Sequence, residues 1–258
     1  KSQYVHLLSD LEAFEHRCSV SFLHCTSRDI LNSMPSNFQF LPNPVEPLNR
    51  GLAFRTPNSR IDERFVEQAR LNPDRVAIEE AHASWRYGEL DELVEHLAHQ
   101  LRVRLQDSEA SRPIFILGKR STGLVLAILA AVRAGRPFSV TDATYPPHRI
   151  HQQYEVLTPA LVIGVELGPE AMGPLLPDGT NVPLLPLKVA GSLPVVADHR
   201  PLATDAPPSQ TAYMLFTSGT TGIPKAIRTG HAPLLHFLQF YERTFEPGPA
   251  DRFSLLSG

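Results

Sequence analysis

The sequence predicts an α/β fold in which βαβ units build a largely parallel sheet. Three observations lead there. Short runs that are almost wholly apolar, such as Ile114 to Leu117, Phe138 to Val140 and Ala160 to Gly164, recur along the chain. Runs without polar alternation suit strands buried on both faces, the condition of a parallel sheet covered by helices. The stretches between them have helical period and run for about ten to eighteen residues, the length of crossover helices. Such crossovers are right-handed, and ligands bind outside the carboxyl ends of the strands.

Regular structure is legible from Ser59. Ser59 and Asp62 read as a capping box, and Ile61, Phe65 and Ala69 share the face of a first helix that Asn72-Pro73-Asp74 ends. Val76 to Ile78 and Trp85 to Tyr87 read as a pair of short strands. A long helix follows from about Tyr87 to Leu105, with Leu90, Leu93, Val94, Leu97, Leu101 and Leu105 as its apolar stripe. Glu92, Glu95 and Arg102 are expected on its solvated face. After the strand at Ile114, Ser121 caps a helix that is apolar nearly all round and that Gly135 stops. Pro146 and Pro147 open a helix to about Val156. From Gly168 to Pro208 the chain is rich in Pro and Gly, with a strand expected between Val182 and Val189. Tyr213 to Phe216 is a further strand, Ala226 to Thr229 its hairpin partner, and His231 to Thr244 a helix.

Residues 1–58 read differently. Asn43, Pro44, Glu46, Pro47, Asn49, Arg50 and Gly51 make a turn-rich, weakly periodic stretch, read as a linker or the tail of a preceding domain. The chain begins at Lys1 and ends at Gly258 just after an apolar, aromatic stretch, so a piece of a longer polypeptide is expected.

Composition narrows the class. The chain is 42% hydrophobic and 20% charged, as soluble globular proteins are. A net charge of −3 with interspersed signs argues against nucleic acid as a partner. Leu124 to Val132, the longest apolar run, is too short to span a bilayer, and the chain does not open on a secretory signal pattern. Cys18 and Cys25 form neither a CxxC nor a disulfide framework and read as reduced thiols. A cytoplasmic location follows as the expectation.

The chemistry concentrates in one segment. Thr217-Ser218-Gly219-Thr220-Thr221-Gly222-Ile223-Pro224-Lys225 directly follows an apolar strand. Its glycines let backbone N–H groups approach an anion, its hydroxyls can donate to phosphate oxygens, and Lys225 adds a point charge. The bland alternative is a flexible polar turn that happens to hold a lysine. The segment is neither a Walker A loop nor a Rossmann GxGxxG.

Residues 213–225, YMLFTSGTTGIPK, resemble the phosphate loop YTSGTTGxPKG of the adenylate-forming superfamily. Trp85 to Leu90, WRYGEL, resembles the early L-T/S-Y-x-E-L motif of the adenylation domains of non-ribosomal peptide synthetases. Residues 132–142, VRAGRPFSVTD, with Tyr145-Pro146, resemble LKAGxAYVPLDPxYP, and Phe65 to Ala69 with Pro73 to Ala77 resemble that family's first helix. The order matches too, and the chain is identified as a member, with residues 59–258 the N-terminal part of the adenylation core. The tail, His236-Phe237 and Asp251 to Gly258, is similar to the aminoadipate-reductase-like branch. Two positions depart from the pattern: Ala226 stands for the loop's last glycine and Val140 for a proline.

The resemblance implies an ATP-dependent ligase in the whole protein. A carboxylate, that of an amino acid or another acid, attacks the α-phosphate to give an acyl-adenylate and pyrophosphate. A carrier-protein thiol on phosphopantetheine then takes the acyl group, with a condensation or reductase domain as a further partner. ATP and Mg2+ are the implied cofactors. Thr217, Ser218, Thr220 and Thr221 would hold the phosphates, Gly219 and Gly222 would let the loop wrap them, and Lys225 would stabilise the leaving pyrophosphate. The family's other working parts lie downstream of Gly258, so the chain alone is expected to be inactive. Two alternatives stand beside this: an acyl-CoA synthetase, and a catalytically silent nucleotide-binding or interaction module.

Other residues read as supports. Tyr87, Glu89, Gly135 and Asp142 lie in matched motifs as structural residues. His96 with His99, and His148 with His151, lack a third ligand and read as solvent-facing rather than metal-binding. Ser218 fails the GxSxG test for a hydrolase nucleophile. His231 and His236 are placed near the substrate pocket by family analogy alone.

Overall fold

The computed structural model describes residues 60–189, 211–217 and 224–254. The chain divides into two units, Lys1–Phe54 and Arg55–Gly258, and all described residues belong to the second. The stretch read as a linker or domain tail, 1–58, and Ser59 lie outside the described residues.

Helix α1 spans Glu63–Leu71. With Ser59 outside the described residues, the cap position itself falls to Asp62, whose side chain makes no capping bond. Strands β1 (Val76–Glu79) and β2 (Ser84–Arg86) pair antiparallel as a separate two-stranded sheet. Helix α2, Tyr87–Arg104, starts where the Glu89 carboxylate accepts the Arg86 N–H at 2.8 Å, tying down one of the first unpaired donors. Of the stripe expected from the sequence, Leu90, Val94, Leu97 and Leu101 are buried in the helix, Leu105 is buried just past it and Leu93 is half-buried, while Ala98 joins them.

The main sheet has the order β6-β5-β3-β4-β7-β8. Its strands are β3 (Ile114–Leu117), β4 (Phe138–Thr141), β5 (Leu161–Val165), β6 (Leu184–Leu187), β7 (Thr211–Thr217) and β8 (Lys225–Gly230). All neighbours run parallel except β7 and β8, which form an antiparallel hairpin. Helix α3, Thr122–Arg133, connects β3 to β4, and α4, Pro147–Leu157, connects β4 to β5. In the proline- and glycine-rich stretch after β5 the chain forms a short α5 (Pro169–Met172) and a 3-10 turn (Gly173–Leu175), neither expected from the sequence. Helix α6 spans His231–Phe245.

Two cores sandwich the sheet. Ile114 and Ile116 of β3 and Leu161 and Ile163 of β5 meet α2 and α3 on one face. Phe115, Leu117 and Val162 meet Ile150 and Leu157 of α4 and Leu176 on the other. The period-2 geometry of a strand sends these residues to opposite faces, which is why the strands read as continuous apolar runs.

Helix ends follow their sequence signals. The Ser121 hydroxyl accepts the Leu124 N–H at 3.3 Å to cap α3. At its other end Gly135 takes φ +72, with Gly135 N–H to Val132 O at 2.9 Å and Arg136 N–H to Ala131 O at 3.0 Å. That pair of bonds is a Schellman stop, and the left-handed residue costs little because glycine has no Cβ. Pro147 stands in the first turn of α4, where a missing N–H is harmless. β6 is shorter than expected because Pro183 and Pro186 lack donors; its place at the sheet edge tolerates them.

Of the α2 residues expected on a solvated face, Glu92 is exposed, whereas Glu95 and Arg102 join an ionic seam. Arg133 of α3, 7% exposed, donates to Asp91 at 2.7 Å and lies 3.5 Å from the fully buried Asp62. Glu95 bridges Arg133, at 3.6 Å, and Arg102, at 2.6 Å. Arg60 holds the other side of Asp62 through two bonds of 3.0 and 2.9 Å. Three helices are thereby tied at one point. No helix among the described residues is long and apolar enough to cross a membrane.

Candidate functional site

The parallel strands end together at one edge of the sheet, and the residues with chemical potential gather there. The last ladder pair of the β7–β8 hairpin is Thr217 with Lys225. Both are exposed. Ser218, Gly219, Thr220, Thr221 and Gly222, expected to hold phosphate, lie outside the described residues. Because β7 runs parallel to β4, Thr217 and Lys225 stand at the carboxyl end of the sheet, the side on which open α/β sheets bind ligands. The hairpin is anchored from below. Phe216 and Ala226 pair in register and pack onto the second core.

That packing answers the sequence departure at Ala226. The residue has no left-handed φ and its methyl lies against Phe216 and the core, so a side chain there is accommodated without strain. Val140, the other departure, is half-buried in β4 and packs on the first core.

Asp142 directly follows β4, the strand next to β7. The Asp142 carboxylate accepts the Thr144 N–H at 2.8 Å and the Thr144 hydroxyl at 2.7 Å. These two bonds hold its carboxyl below the usual carboxylate range, with Arg120 and Lys119 adding to the effect. On the far side of β4, Gly118 extends β3, donating to Thr141 O at 3.2 Å. A Cβ at Gly118 would lie 2.6 Å from Val165 Cβ, so the close approach of two chains here requires glycine. Next to it Glu80 accepts from the Thr122 N–H at 2.5 Å and the Thr122 hydroxyl at 2.8 Å, closing the N-terminus of α3.

The remaining motif residues sit elsewhere and do structural work. Glu89 caps α2, Gly135 stops α3, and Tyr87 packs against Phe65 with ring centroids 6.0 Å apart. His231 is not at this edge. It follows Gly230, which pairs with Thr211 at the opposite end of the hairpin. Its Nδ1 accepts the Ile61 N–H at 3.4 Å, and burial pushes its pKa down, with Asp62 opposing and Arg60 assisting. His231 starts α6 and lies the length of β8, about 20 Å, from Lys225. His96 bonds Gln100 at 2.7 Å. Among the described residues no three His, Cys, Asp or Glu side chains converge as metal ligands. Mg2+ keeps most of its shell in water and substrate phosphate, so such a cluster is not a requirement for it. A cleft of about 410 Å³, lined by Arg104, Ser108, Arg112 and Asn181, opens at the amino end of the sheet, away from the hairpin.

An open parallel sheet with a hydroxyl- and glycine-rich hairpin at its carboxyl edge defines an α/β ligand-binding domain. Residues 65–257 match the family model described as AMP-binding enzyme, and the chain belongs to that family. It is 32% identical over 201 residues to glycine betaine reductase ATRR of Emericella nidulans, covering 71% of this chain and 14% of that protein. It is 26% identical to the L-2-aminoadipate reductase large subunit of Penicillium chrysogenum, over 84% of this chain and 17% of that protein. Syringomycin synthase SyrB1 of Pseudomonas syringae pv. syringae is 28% identical, over 83% of this chain and 34% of that protein. Among solved structures, the non-ribosomal peptide synthetase FmoA3 superposes with a TM-score of 0.59 at 23% identity, over 78% of this chain and 20% of that one. VinN superposes with a TM-score of 0.61 at 19% identity, over 75% and 49%. These likenesses establish the fold. The chain spans between 14% and 34% of the length of those three curated relatives.

Proposed function

We propose that this chain is the phosphate-binding part of an enzyme that activates an amino acid, or another carboxylic acid, as its acyl-adenylate. The observation that supports the reading is the Thr217–Lys225 pair, which closes both ends of the segment resembling the family's loop at the carboxyl end of the sheet. In this reading the acid's carboxylate oxygen bonds to the α-phosphorus of ATP. The bond from that phosphorus to the bridging oxygen breaks, and pyrophosphate leaves with its electron pair. Such a displacement asks the protein for position and charge rather than for covalent participation.

Thr217, Ser218, Thr220 and Thr221 donate hydroxyl hydrogens to phosphate oxygens, and Gly219 and Gly222 let backbone N–H groups close on them. Lys225 offsets the charge that builds on the departing pyrophosphate. Mg2+, when bound with ATP, would supply further positive charge to offset that build-up. The acyl group then passes to a carrier-protein phosphopantetheine thiol, which displaces AMP. A reductase domain as the next partner agrees with the names of two relatives, and a condensation domain remains the peptide-synthetase alternative. We place the start of the adenylation-type core at residue 59.

The test is acid-dependent exchange of labelled pyrophosphate into ATP by the full-length protein, run across amino acids and simple carboxylic acids. Exchange with one or a few acids supports the reading and names the substrate class. A folded protein that binds ATP yet exchanges with none is a silent nucleotide-binding module instead.

A further inference from the structure

The chain holds 24 lysines and arginines, and only four are lysines: Lys1, Lys119, Lys188 and Lys225. The three that lie among the described residues all stand at the carboxyl edge of the sheet. Lys119 follows β3, Lys188 follows β6, and Lys225 opens β8 opposite Thr217. Arginines, by contrast, are spread over the fold, with Arg133 buried and Arg60, Arg102, Arg112 and Arg136 engaged in ion pairs or carbonyl bonds. A lysine is a compact point charge that suits phosphate without bidentate geometry.

Position separates these lysines. With strands about 4.8 Å apart, Lys119, just past β3, is offset from the β7 strand of Thr217 by two strands, about 10 Å across the sheet, whereas Lys188, just past β6, is offset by four, about 19 Å. Arg120 adjoins Lys119, and both are exposed. Neither side chain has an ion pair or hydrogen bond among the described residues. Glu80 is engaged with Thr122, and Asp142, hydrogen-bonded to Thr144, keeps its charge and feels the field of both cations without pairing with either.

We propose that Lys119 and Arg120 form a second cationic wall of the nucleotide site. Standing on the β3 side, the pair draws the ATP polyphosphate toward the Thr217–Lys225 hairpin and offsets its charge. This rests on the nucleotide reading given above. The two residues act through their field on binding, as positioning residues, and not on the reacting bond.

The experiment is pyrophosphate exchange by the full-length protein as a function of ATP concentration and salt. The Lys119→Gln, Arg120→Gln double variant is expected to raise KM for ATP about 3–10-fold with kcat changed less than about two-fold, and to flatten the salt dependence of kcat/KM. Lys188→Gln is expected to match the wild type. The charge-conserving Lys119→Arg, Arg120→Lys variant is expected to restore KM, which a merely structural role would not predict. A wild-type KM and salt slope in the double variant, with Lys225→Gln impaired, would overturn the proposal and leave the nucleotide reading intact. So would an equal loss in the charge-conserving variant. If Lys225→Gln is unimpaired as well, the nucleotide reading itself is what fails.

Discussion

Thr217 and Lys225 face each other across β7 and β8 as the last backbone pair of the hairpin, so the hydroxyl and the ammonium stem from adjacent points on a rigid ladder. The segment between them is thereby closed at both ends by the sheet, and the sheet is anchored by Phe216 and Ala226 in the core. In the proposed reading, a loop closed this way would offer its donors from a fixed base, as charge stabilisation in a transition state requires.

Removing the ammonium tests that arrangement. A charged hydrogen bond is worth roughly 1.5–3 kcal/mol, so Lys225→Ala in the full-length protein should slow turnover about ten-fold or more. The measurement is kcat and KM for ATP in pyrophosphate exchange. Unchanged values for both would remove Lys225 from the mechanism.

The ionic seam sets stability rather than chemistry. Arg133 is nearly buried between Asp62, Asp91 and Glu95, and removing its charge leaves Asp91 without this partner and the buried Asp62 with Arg60 alone. Arg133→Met should destabilise the fold by about 3–5 kcal/mol, read from urea unfolding midpoints. A loss below about 1 kcal/mol would mean that water solvates the seam.

Gly118 should resist any side chain. Its Cβ position falls 2.6 Å from Val165 Cβ and 3.2 Å from Val165 O, so the strand itself would have to move. Gly118→Ala should cost about 1–3 kcal/mol. An unfolding midpoint equal to the wild type would show that β3 and β5 part freely at this edge.

His231 gives the fold a pH dependence with a definite sign. Its folded pKa is pushed below the ordinary histidine value by burial, so the unfolded chain takes up the proton first. The contribution is complete above about pH 6.5 and is lost as pH falls through the folded value. Unfolding midpoints of the wild type should therefore drop on acidification from neutral pH, and His231→Asn should lack part of that drop. A variant with the full wild-type slope would mean that His231 is not the group responsible. Asp142 titrates with the same sign in a lower window, since its carboxyl is held down by Thr144.

Much of the fold was legible because periodicity reports burial directly. The Leu90 to Leu105 stripe, the runs at Ile114 and Leu161, the Ser121 cap and the Gly135 stop each encode their own geometry locally. What was not legible depends on contacts between distant segments. Glu95 and Arg102 read as solvated because nothing in their own helix announces Arg133. Glu80 gave no sign of reaching the N-terminus of α3, forty-two residues on. The bond between His231 and Ile61 was not legible either, because the two residues are 170 positions apart and meet only once β8 has carried the chain to the other end of the sheet. At the site, the loop's identity was legible from its residues, but its company was not. The scarcity of lysine is what drew the proposal to Lys119, and strand order is what sets it beside the hairpin.

The most direct measurement is the chemical identity of the nucleotide product. The full-length protein is incubated with ATP, Mg2+ and its activated acid, without a thiol acceptor, and the products are resolved by mass spectrometry. The account predicts acyl-AMP and pyrophosphate in equal amounts, because attack falls at the α-phosphorus. ADP and inorganic phosphate in their place would contradict it.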